Sequence, residues 1–351
     1  MISAGPQLFR LKPPPIPGLM PMKSRRHTLL GALTVVGTVL LTLAAGELLL
    51  RVVDFRYELR VHIIESTAPE AEEVHRGYSI DPHLVWVDNG YYDRLNDAKT
   101  KRIDIAFMGD SCTQFGSYDR LLAALIEANT GGALSIVKLG VAGWTTHQGM
   151  RQMERDVAAL RPKIVTICFG WNDHWLSIGL SDMEVERINR SVLGRMQWLR
   201  LGQLVTKAYV ALAREKDRPV ARVDEREFHD HLVDMVKEAK RIGAVPVLIT
   251  APSSHVEGHE PAFLAGRWVA DLSDLVPTHR RYADIVRQVA VQQGVVLCDL
   301  AAAFESLEGG GGRGACFYAD GIHYTEEGNV CAARFLFDCF ENNEPTRSVF
   351  R

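Results

Sequence analysis

Five short runs of apolar residues, spread over roughly the last 250 residues of the chain, constrain the fold most. Each run is nearly continuous rather than alternating between apolar and polar residues. Such runs are typical of strands in a parallel sheet whose two faces are both covered by helices. The pattern predicts strands at residues 103–108, 135–139, 164–169, 245–250 and 295–299.

The segments around these runs have the spacing of amphipathic helices. The predicted helices lie at residues 146–160, 225–242, 279–293 and 325–340. This alternation predicts a three-layer α/β/α domain with a parallel five-stranded sheet over residues 99–345. The stretch 174–224 is longer than a simple crossover requires, and we expect extra helices there, anchored by Trp175 and Trp198.

Small and polar residues follow the predicted strands at four points. The clusters are GDS at 109–111, GVAG at 140–143, GWND at 170–173 and, after the fifth strand, DGIH at 320–323. The carboxyl ends of parallel strands lie at one edge of a sheet, and ligands bind beyond that edge. We therefore expect the four clusters to meet in one site.

The residue types in these clusters suit acyl transfer through a serine. A serine hydroxyl becomes a good nucleophile only when a base removes its proton, and His323 is the candidate base for Ser111. Asp320, three residues before the histidine, can hold the other ring nitrogen. The backbone N–H groups of Ser111 and Gly143 and the side-chain amide of Asn172 can stabilise the oxyanion of a tetrahedral intermediate.

The four clusters, in this order, resemble the sequence blocks of the SGNH (GDSL-type) hydrolases over residues 100–343. The resemblance implies a flavodoxin-like sheet and a Ser–His–Asp site in which the five residues just named have the same roles, with Ser111 as nucleophile. One position departs from the family pattern. Lys138 stands where many members have asparagine, which leaves the local support of the second loop open.

Several neighbours of these positions have two interpretations. Asp110 and Asp173 adjoin candidate catalytic residues, and we expect them to support the loops by accepting hydrogen bonds from backbone amides. Trp144, Trp171 and His174 are candidate lining residues of an acyl or alcohol pocket. The alternative is that they pack in the core, as buried aromatic residues commonly do.

The six cysteines allow disulfides in principle, since their number is even. Cys168 and Cys298 lie in predicted strands that another strand separates, and Cys331 and Cys339 lie about 12 Å apart along one helix. We therefore expect mostly buried free thiols. Cys112 has no second base beside it and is a poor candidate nucleophile.

An uncharged run of 19 residues, at 28–46, lies near the N-terminus. A helix of that length spans roughly the 30 Å hydrocarbon core of a bilayer. Lys23, Arg25 and Arg26 precede the run, and positively charged flanks stay in the cytoplasm. An uncleaved transmembrane anchor is the favoured interpretation; a cleaved signal peptide, whose apolar region is usually shorter, is the alternative.

Charge is distributed unevenly over the resulting segments. These are a Pro-rich basic cytoplasmic tail at 1–27, a transmembrane anchor at 28–50, a stem at 51–98 and the hydrolase domain at 99–345. The tail has five basic residues and no acidic one, whereas the remainder has the other 35 basic residues against all 43 acidic ones. The net charge of −3 offers no basic excess for nucleic acid, which we exclude as a partner.

The sequence thus predicts a single-pass membrane protein with a serine esterase domain outside the cytoplasm. The expected substrate is an acyl ester, with acetyl groups on a carbohydrate as the favoured candidate. An O-acyltransferase acting on a cell-surface glycan, a lipid esterase and a catalytically silent glycan-binding subunit are the alternatives. The chemistry requires no cofactor and no metal, and the sequence leaves the acyl chain length and the oligomeric state open.

Overall fold

The computed structural model describes residues 22–57, 77–177, 179–213, 220–266, 268–307 and 312–350. Residues 1–21 of the predicted cytoplasmic tail lie outside this part of the chain. The described residues belong to two units. The first consists of the N-terminal helix as far as Arg56 together with Leu199–Leu201, and the second contains Tyr57–Trp198 and the residues from Gly202 onward.

The second unit is built around a parallel sheet. The strands in its described residues are β1 Tyr78–Asp81, β2 Val85–Asp88, β3 Ile105–Gly109, β4 Ile136–Lys138, β5 Ile164–Cys168, β6 Val245–Ile249 and β7 Val296–Cys298. β1 and β2 form an antiparallel hairpin, and the other five strands pair in parallel in the order β4-β3-β5-β6-β7. The predicted five-stranded parallel sheet is confirmed, and its strand order is flavodoxin-like.

Helices cover both faces of this sheet, as predicted. The longer helices among the described residues and the short ones named below are, in chain order, α1 Met22–Val52, α2 Tyr91–Lys99, α3 Ser111–Phe115, α4 Tyr118–Thr130, α5 Thr146–Gln152, α6 Asp182–Arg190, α7 Val192–Arg195, α8 Arg200–Ala213, α9 Glu225–Arg241, α10 Leu275–Gln293, α11 Leu300–Glu305, α12 Gly312–Ala315, α13 Glu326–Asn342 and α14 Glu344–Arg347. α5 continues through a π-helical turn, Met153–Val157, which the regular periodicity of residues 146–160 does not reveal.

Two hydrophobic clusters, one on each face of the sheet, explain why the strands are continuous apolar runs. Successive side chains of a strand point to opposite faces. In β3, Ala106 and Met108 belong to one cluster, whereas Ile105 and Phe107 belong to the other. All four are inaccessible to solvent. No position in this strand is therefore left for a polar side chain.

The first unit consists mainly of α1. The stretch of residues 27–52 is long and apolar enough to cross a membrane, and the side chains of its most apolar 18-residue window are not buried. The hydroxyl groups of Thr34, Thr38 and Thr42 each donate to the carbonyl oxygen four residues earlier. In the apolar core of a bilayer there is no water to pair with a hydroxyl group, so internal hydrogen bonds of this kind suit a membrane-spanning helix. α1 is thus a candidate membrane span where the sequence predicts one.

The segment predicted as a stem extends into the core of the second unit. Leu84, Trp86, Tyr91 and Leu95, from the β1–β2 hairpin and α2, are at most 2% exposed and belong to the same hydrophobic cluster as β3. The folded domain therefore begins before residue 99. The prediction of a separate stem over the whole of 51–98 is wrong for this part, because these apolar side chains pack against the sheet layer.

The stretch 174–224 contains α6, α7 and α8, so the expected extra helices are present. Trp175 is 4% exposed and packs against Trp171 and Trp268, as an anchor would. Trp198 is 73% exposed. Its predicted role as an anchor is wrong, because it lies in the turn between α7 and α8, where the core does not cover it.

One disulfide contradicts the expectation for its two cysteines. Cys298 at the end of β7 is bonded to Cys339 in α13. The other four cysteines are free, and Cys112, Cys168 and Cys316 among them are buried, as predicted. Spacing along one element does not reveal this pairing, because the two cysteines are 41 residues apart and meet only where α13 packs on the edge strand β7.

Candidate active site

Ser111 lies at the sharp turn between β3 and α3. Asp110 is the N-cap of α3, and its carboxylate accepts a hydrogen bond of 2.9 Å from the N–H of Cys112. The turn requires glycine at position 109, since a Cβ atom there would collide with the Thr113 hydroxyl and lie 2.7 Å from the Cys168 carbonyl oxygen. As the first residue of the helix, Ser111 has a backbone N–H without an intrahelical acceptor.

A chain of hydrogen bonds joins Ser111, His323 and Asp320. The Ser111 Oγ and His323 Nε2 atoms are 2.8 Å apart, and His323 Nδ1 is 2.6 Å from Asp320 Oδ2. The other carboxylate oxygen of Asp320 accepts from the N–H groups of Ile322 and His323, at 2.8 and 3.0 Å. Asp320 is therefore fixed by the loop that carries it and in turn orients the imidazole.

The charges around His323 favour its protonated form. Burial opposes the charge on the ring, but the hydrogen bond to Asp320, the Asp320 charge and the Asp110 charge outweigh it and raise the pKa of His323 above its ordinary value. Burial also opposes the charge of Asp320, but hydrogen bonds from His323 and Ile322 lower the pKa of that carboxyl. Asp320 is thus ionised near neutral pH, as an orienting partner of the histidine has to be.

Packing from a distant loop holds the Asp320–His323 turn in place. Gly321 has a φ of +73°, and a Cβ atom there would collide with the His255 ring. His255 donates a 2.7 Å hydrogen bond through Nε2 to the Asp320 carbonyl oxygen. Thr325 is the N-cap of α13, and its hydroxyl accepts from the N–H of Gly328 at 3.1 Å. The residues around His255 in the sequence give no signal for this contact.

The two other candidate oxyanion donors lie on neighbouring loops. Asn172 is 7% exposed, and its amide donates to Asp110 Oδ2 at 3.4 Å, which brings it beside the Ser111 turn. Gly143 has a φ of +79°, and its N–H has no acceptor among the residues that the structure describes. It makes no direct hydrogen bond to Ser111, His323 or Asp320; its neighbour Ala142 reaches α3 by donating to Gln114 Oε1 at 2.6 Å.

Ser111 opens into a cavity of about 490 Å³. Two aromatic side chains at this cavity are largely exposed, Phe115 at 64% and Tyr318 at 59%. The other lining residues are mostly polar: Ser111, Cys112, Gly116, Ser117, Asp320, His323, Tyr324, Glu326 and Asn329. The cavity thus combines two exposed aromatic rings with lining residues that are mostly of polar type.

The three candidate lining residues do not line this cavity. Trp144 is fully buried, and Trp171 stacks on His279 with ring centroids 3.8 Å apart. His174 is buried as well and hydrogen bonds through Nε2 to His279 Nδ1 at 3.1 Å, beside a separate cavity of about 830 Å³. The prediction that they line the pocket is wrong, because the side chains of all three are buried among other core residues.

The neighbouring polar residues support the loops. The carboxylate of Asp173 accepts from the N–H of Thr146 at 2.8 Å, and Asp110 caps α3, so both predicted loop contacts are confirmed. Burial raises the pKa of Asp110 to about 6 and that of Asp173 to about 7. The sequence alone leaves open what Lys138 does in place of the asparagine of many family members. In the structure, its ammonium group donates to the Gly116 carbonyl oxygen at 2.6 Å.

Burial also raises the pKa of the Cys112 thiol well above its ordinary value. Because the thiolate is the reactive form of cysteine, this side chain is inert next to Ser111.

The chain is similar to proteins of one enzyme family. Residues 107–330 match the family model of the GDSL-like lipase/acylhydrolase family. The uncharacterized lipoprotein YqeF of Bacillus subtilis is 22% identical over 259 residues, which are 69% of this chain and 89% of the relative.

Two solved structures illustrate the likeness. A lipase/acylhydrolase from Enterococcus faecalis is 17% identical, with a TM-score of 0.46, and covers 68% of this chain and 96% of its own. A variant acetyl xylan esterase from Geobacillus stearothermophilus is 20% identical, with a TM-score of 0.42, and covers 69% of this chain and 96% of its own. Since the family model spans more than half of the residues, this chain belongs to the GDSL-like lipase/acylhydrolase family of ester hydrolases.

Proposed function

We propose that the protein is a serine esterase in which Ser111 is the nucleophile, His323 the general base and acid, and Asp320 the residue that orients His323. The observation that carries the proposal is the unbroken hydrogen-bonded chain from the Ser111 hydroxyl through both ring nitrogens of His323 to the Asp320 carboxylate. Its order of groups is the one that serine hydrolases use.

The mechanism follows from this geometry. His323 Nε2 takes the hydroxyl proton as Ser111 Oγ attacks the ester carbonyl carbon. The negative charge that develops on the carbonyl oxygen is stabilised by the N–H groups of Ser111 and Gly143 and the amide of Asn172. When the intermediate collapses, the C–O bond to the alcohol breaks and His323 gives its proton to the departing oxygen. Water then hydrolyses the acyl-enzyme by the same steps.

For the substrate we propose a short acyl ester on a carbohydrate. The exposed rings of Phe115 and Tyr318 flank the cavity of Ser111, and aromatic faces attract the C–H groups on one side of a sugar ring. Polar side chains such as Ser117, Glu326 and Asn329 add hydrogen-bonding partners for sugar hydroxyls. A long acyl chain would instead call for an apolar channel.

For the location we propose that α1 anchors the protein in a membrane with the esterase domain outside the cytoplasm. The support is the apolar helix of residues 27–52 and the basic residues Lys23, Arg25 and Arg26 before its apolar part. Esters on cell-surface carbohydrates would then lie within reach of the anchored domain.

The test uses the full chain in detergent micelles and p-nitrophenyl esters of increasing acyl length. We expect Ser111-dependent turnover that is fastest with acetate, and a loss of at least about 10⁴-fold in kcat for Ser111→Ala. Ser306→Ala is the matched control and retains full activity, because this serine is exposed and its hydroxyl donates to the Ala303 carbonyl oxygen within its own turn. Equal turnover by wild type and Ser111→Ala would refute the serine mechanism.

The substrate is tested in the same preparation with acetylated xylo-oligosaccharides. We expect Phe115→Ala and Tyr318→Ala to raise KM for the oligosaccharide by about fivefold to tenfold and to leave KM for p-nitrophenyl acetate unchanged. Equal effects on both substrates would contradict a sugar-binding role. Acyl transfer to added sugars in preference to water would identify a transferase, and tight binding without turnover would identify a silent glycan-binding protein.

A further inference from the structure

The peptide unit that carries the Gly143 N–H is held by a side chain from outside the region that the family model covers. Trp86, in β2, donates a 3.0 Å hydrogen bond from its indole Nε1 to the Ala142 carbonyl oxygen. The Trp86 side chain is 2% exposed, so water does not compete for this bond. In return, Trp144 donates from its own indole to the Trp86 carbonyl oxygen at 2.9 Å.

This contact fixes the direction of the Gly143 N–H. The carbonyl of Ala142 and the N–H of Gly143 belong to the same planar peptide unit, and in a trans peptide they point in opposite directions. A donor that fixes the carbonyl on one side therefore fixes the N–H on the other. Because a hydrogen bond to the carbonyl also polarises the peptide, it makes the N–H a stronger donor.

A second residue of the same hairpin reaches this turn through α3. Gln114 Oε1 accepts from the Ala142 N–H at 2.6 Å and from the Tyr78 hydroxyl at 3.2 Å. Gln114 lies in the short helix that Ser111 begins. The β1–β2 hairpin thus contacts both the turn of Gly143 and the helix of Ser111.

A buried arginine completes the support on the far side of Gly143. Arg222 donates to the Gly143 carbonyl oxygen at 2.6 Å and pairs with Asp182 through two nitrogen atoms, at 3.1 and 2.8 Å. Its guanidinium carbon lies 5.8 Å from the centre of the Trp86 ring. Arg222 and Trp86 are therefore packed together, and they hold the carbonyl groups of two successive peptide units in the turn.

We infer that Trp86 is a positioning residue of the oxyanion hole, which makes the β1–β2 hairpin part of the active site. The inference rests on the proposed function, since it requires that the Gly143 N–H binds the oxyanion. Trp86 does not touch the substrate. Its indole acts through the Ala142–Gly143 peptide, so its removal lowers kcat while substrate binding is retained.

The test compares Trp86→Phe with wild type in the full chain. Phenylalanine keeps an aromatic ring in the core but lacks the N–H. Removal of one oxyanion donor costs about 10²- to 10³-fold in kcat, and misdirection of one should cost less. We expect kcat for p-nitrophenyl acetate to fall about tenfold, with KM within about twofold. The inhibition constant of phenylboronic acid, whose adduct with a serine is tetrahedral and anionic, should rise by a similar factor.

Tyr91→Phe is the matched control. Tyr91 belongs to the same hydrophobic cluster as Trp86. The substitution removes a buried hydroxyl that donates to Asp156 at 2.6 Å and leaves the hydrogen bond to the Ala142 carbonyl in place. We expect Tyr91→Phe to have a lower Tm than wild type, with unchanged kcat and an unchanged inhibition constant for phenylboronic acid.

A second variant covers the case in which Trp86→Phe fails to fold. Trp86→benzothienylalanine keeps the bicyclic ring and replaces only the N–H by sulfur. The same loss of kcat is expected for that variant.

The outcomes separate the two proposals. If wild-type turnover depends on Ser111 but the Trp86 variants match Tyr91→Phe in kcat and in phenylboronic acid inhibition, the inference is overturned and the proposed function stands. If the Trp86 variants raise KM and leave kcat unchanged, Trp86 has a binding role and the inference is overturned as well. If wild-type turnover is independent of Ser111, both proposals fall together.

Discussion

At the scale of single residues, His323 determines how the proposed chemistry depends on pH. Its ring accepts the Ser111 proton only when Nε2 is unprotonated, and the hydrogen bond to Asp320 favours the protonated ring. The raised pKa of His323 therefore shifts activity to higher pH than an ordinary histidine would. The same carboxylate that makes His323 a stronger base also holds it in position.

We expect kcat/KM for p-nitrophenyl acetate to rise with pH through a midpoint above about 6.5, the ordinary pKa of histidine. In Asp320→Asn the charge that raises the pKa is absent, so the midpoint should move to lower pH, while the maximal rate falls by about 10³- to 10⁴-fold. Asp338→Asn, on the exposed side of α13, is the control. A wild-type midpoint below 6.5, or no movement in Asp320→Asn, would contradict this account of His323.

The residues of the hydrogen-bonded chain could be predicted because their types and positions carry a local signal. Ser111 and the Asp320–His323 pair each lie in a short cluster after a strand, and parallel strands bring such clusters to one edge. Trp86 and His255 could not be predicted. Each acts through a backbone carbonyl more than 50 residues away, and that contact leaves no pattern in the sequence around it.

At the scale of elements, α13 connects the candidate site to the edge of the sheet. Its first turn follows the loop of His323, and Cys339 in its last turn is bonded to Cys298 in β7. The disulfide closes a segment of 41 residues, which includes the whole Asp320–His323 loop. Such a crosslink stabilises the fold mainly because it restricts the unfolded chain.

We expect Cys298→Ala/Cys339→Ala to lower the free energy of unfolding by about 2–4 kcal/mol, the usual range for a loop of this length. Urea titrations of the full chain in micelles measure the change, and kcat should stay within about twofold. The control is Cys331→Ala, which removes a free, partly buried thiol and should cost less than about 1 kcal/mol. Equal stability of the double variant and wild type would contradict a disulfide between these residues.

The strands could be predicted to within one or two residues because most of their side chains on both faces are buried, which leaves a nearly continuous apolar signal. The β1–β2 hairpin could not. Its strands have four residues each, and their burial depends on packing against a sheet that forms from later parts of the chain. The disulfide was missed for the same reason, since it depends on where α13 packs.

At the scale of the whole molecule, the proposed esterase combines a family domain with two additions before residue 107. One is α1, the candidate membrane span, and the other is the hairpin with Trp86. Composition predicted α1, because an uncharged apolar run of this length is typical of a membrane-spanning helix. The role of the β1–β2 hairpin is evident only from the contacts of Trp86 and Tyr78 in the structure. The uneven charge of the sequence fits the proposed topology, with the basic N-terminal segment in the cytoplasm.

For the membrane topology, we expect the full chain in a bacterial host to remain in the membrane after carbonate washing and to retain α1 by intact mass. Protease added to spheroplasts should digest the domain after Val52, whereas inverted vesicles should protect it. A variant in which Lys23, Arg25 and Arg26 are replaced by glutamate tests whether the basic flank sets this orientation. A mature chain that begins after Ala45 would instead support the signal-peptide alternative, and protection in spheroplasts would contradict the proposed topology.

The central claim, that Ser111 is the nucleophile, is tested most directly by covalent capture. The full chain is treated with paraoxon, which phosphorylates activated serine hydroxyls, and the modified peptide is located by mass spectrometry. We predict one adduct per chain, at Ser111, which forms in parallel with the loss of esterase activity. Ser111→Ala should form no adduct, and His323→Ala should form the adduct much more slowly than wild type. Full activity in a chain whose Ser111 is modified, or an adduct at another serine that tracks the loss of activity, would contradict the account.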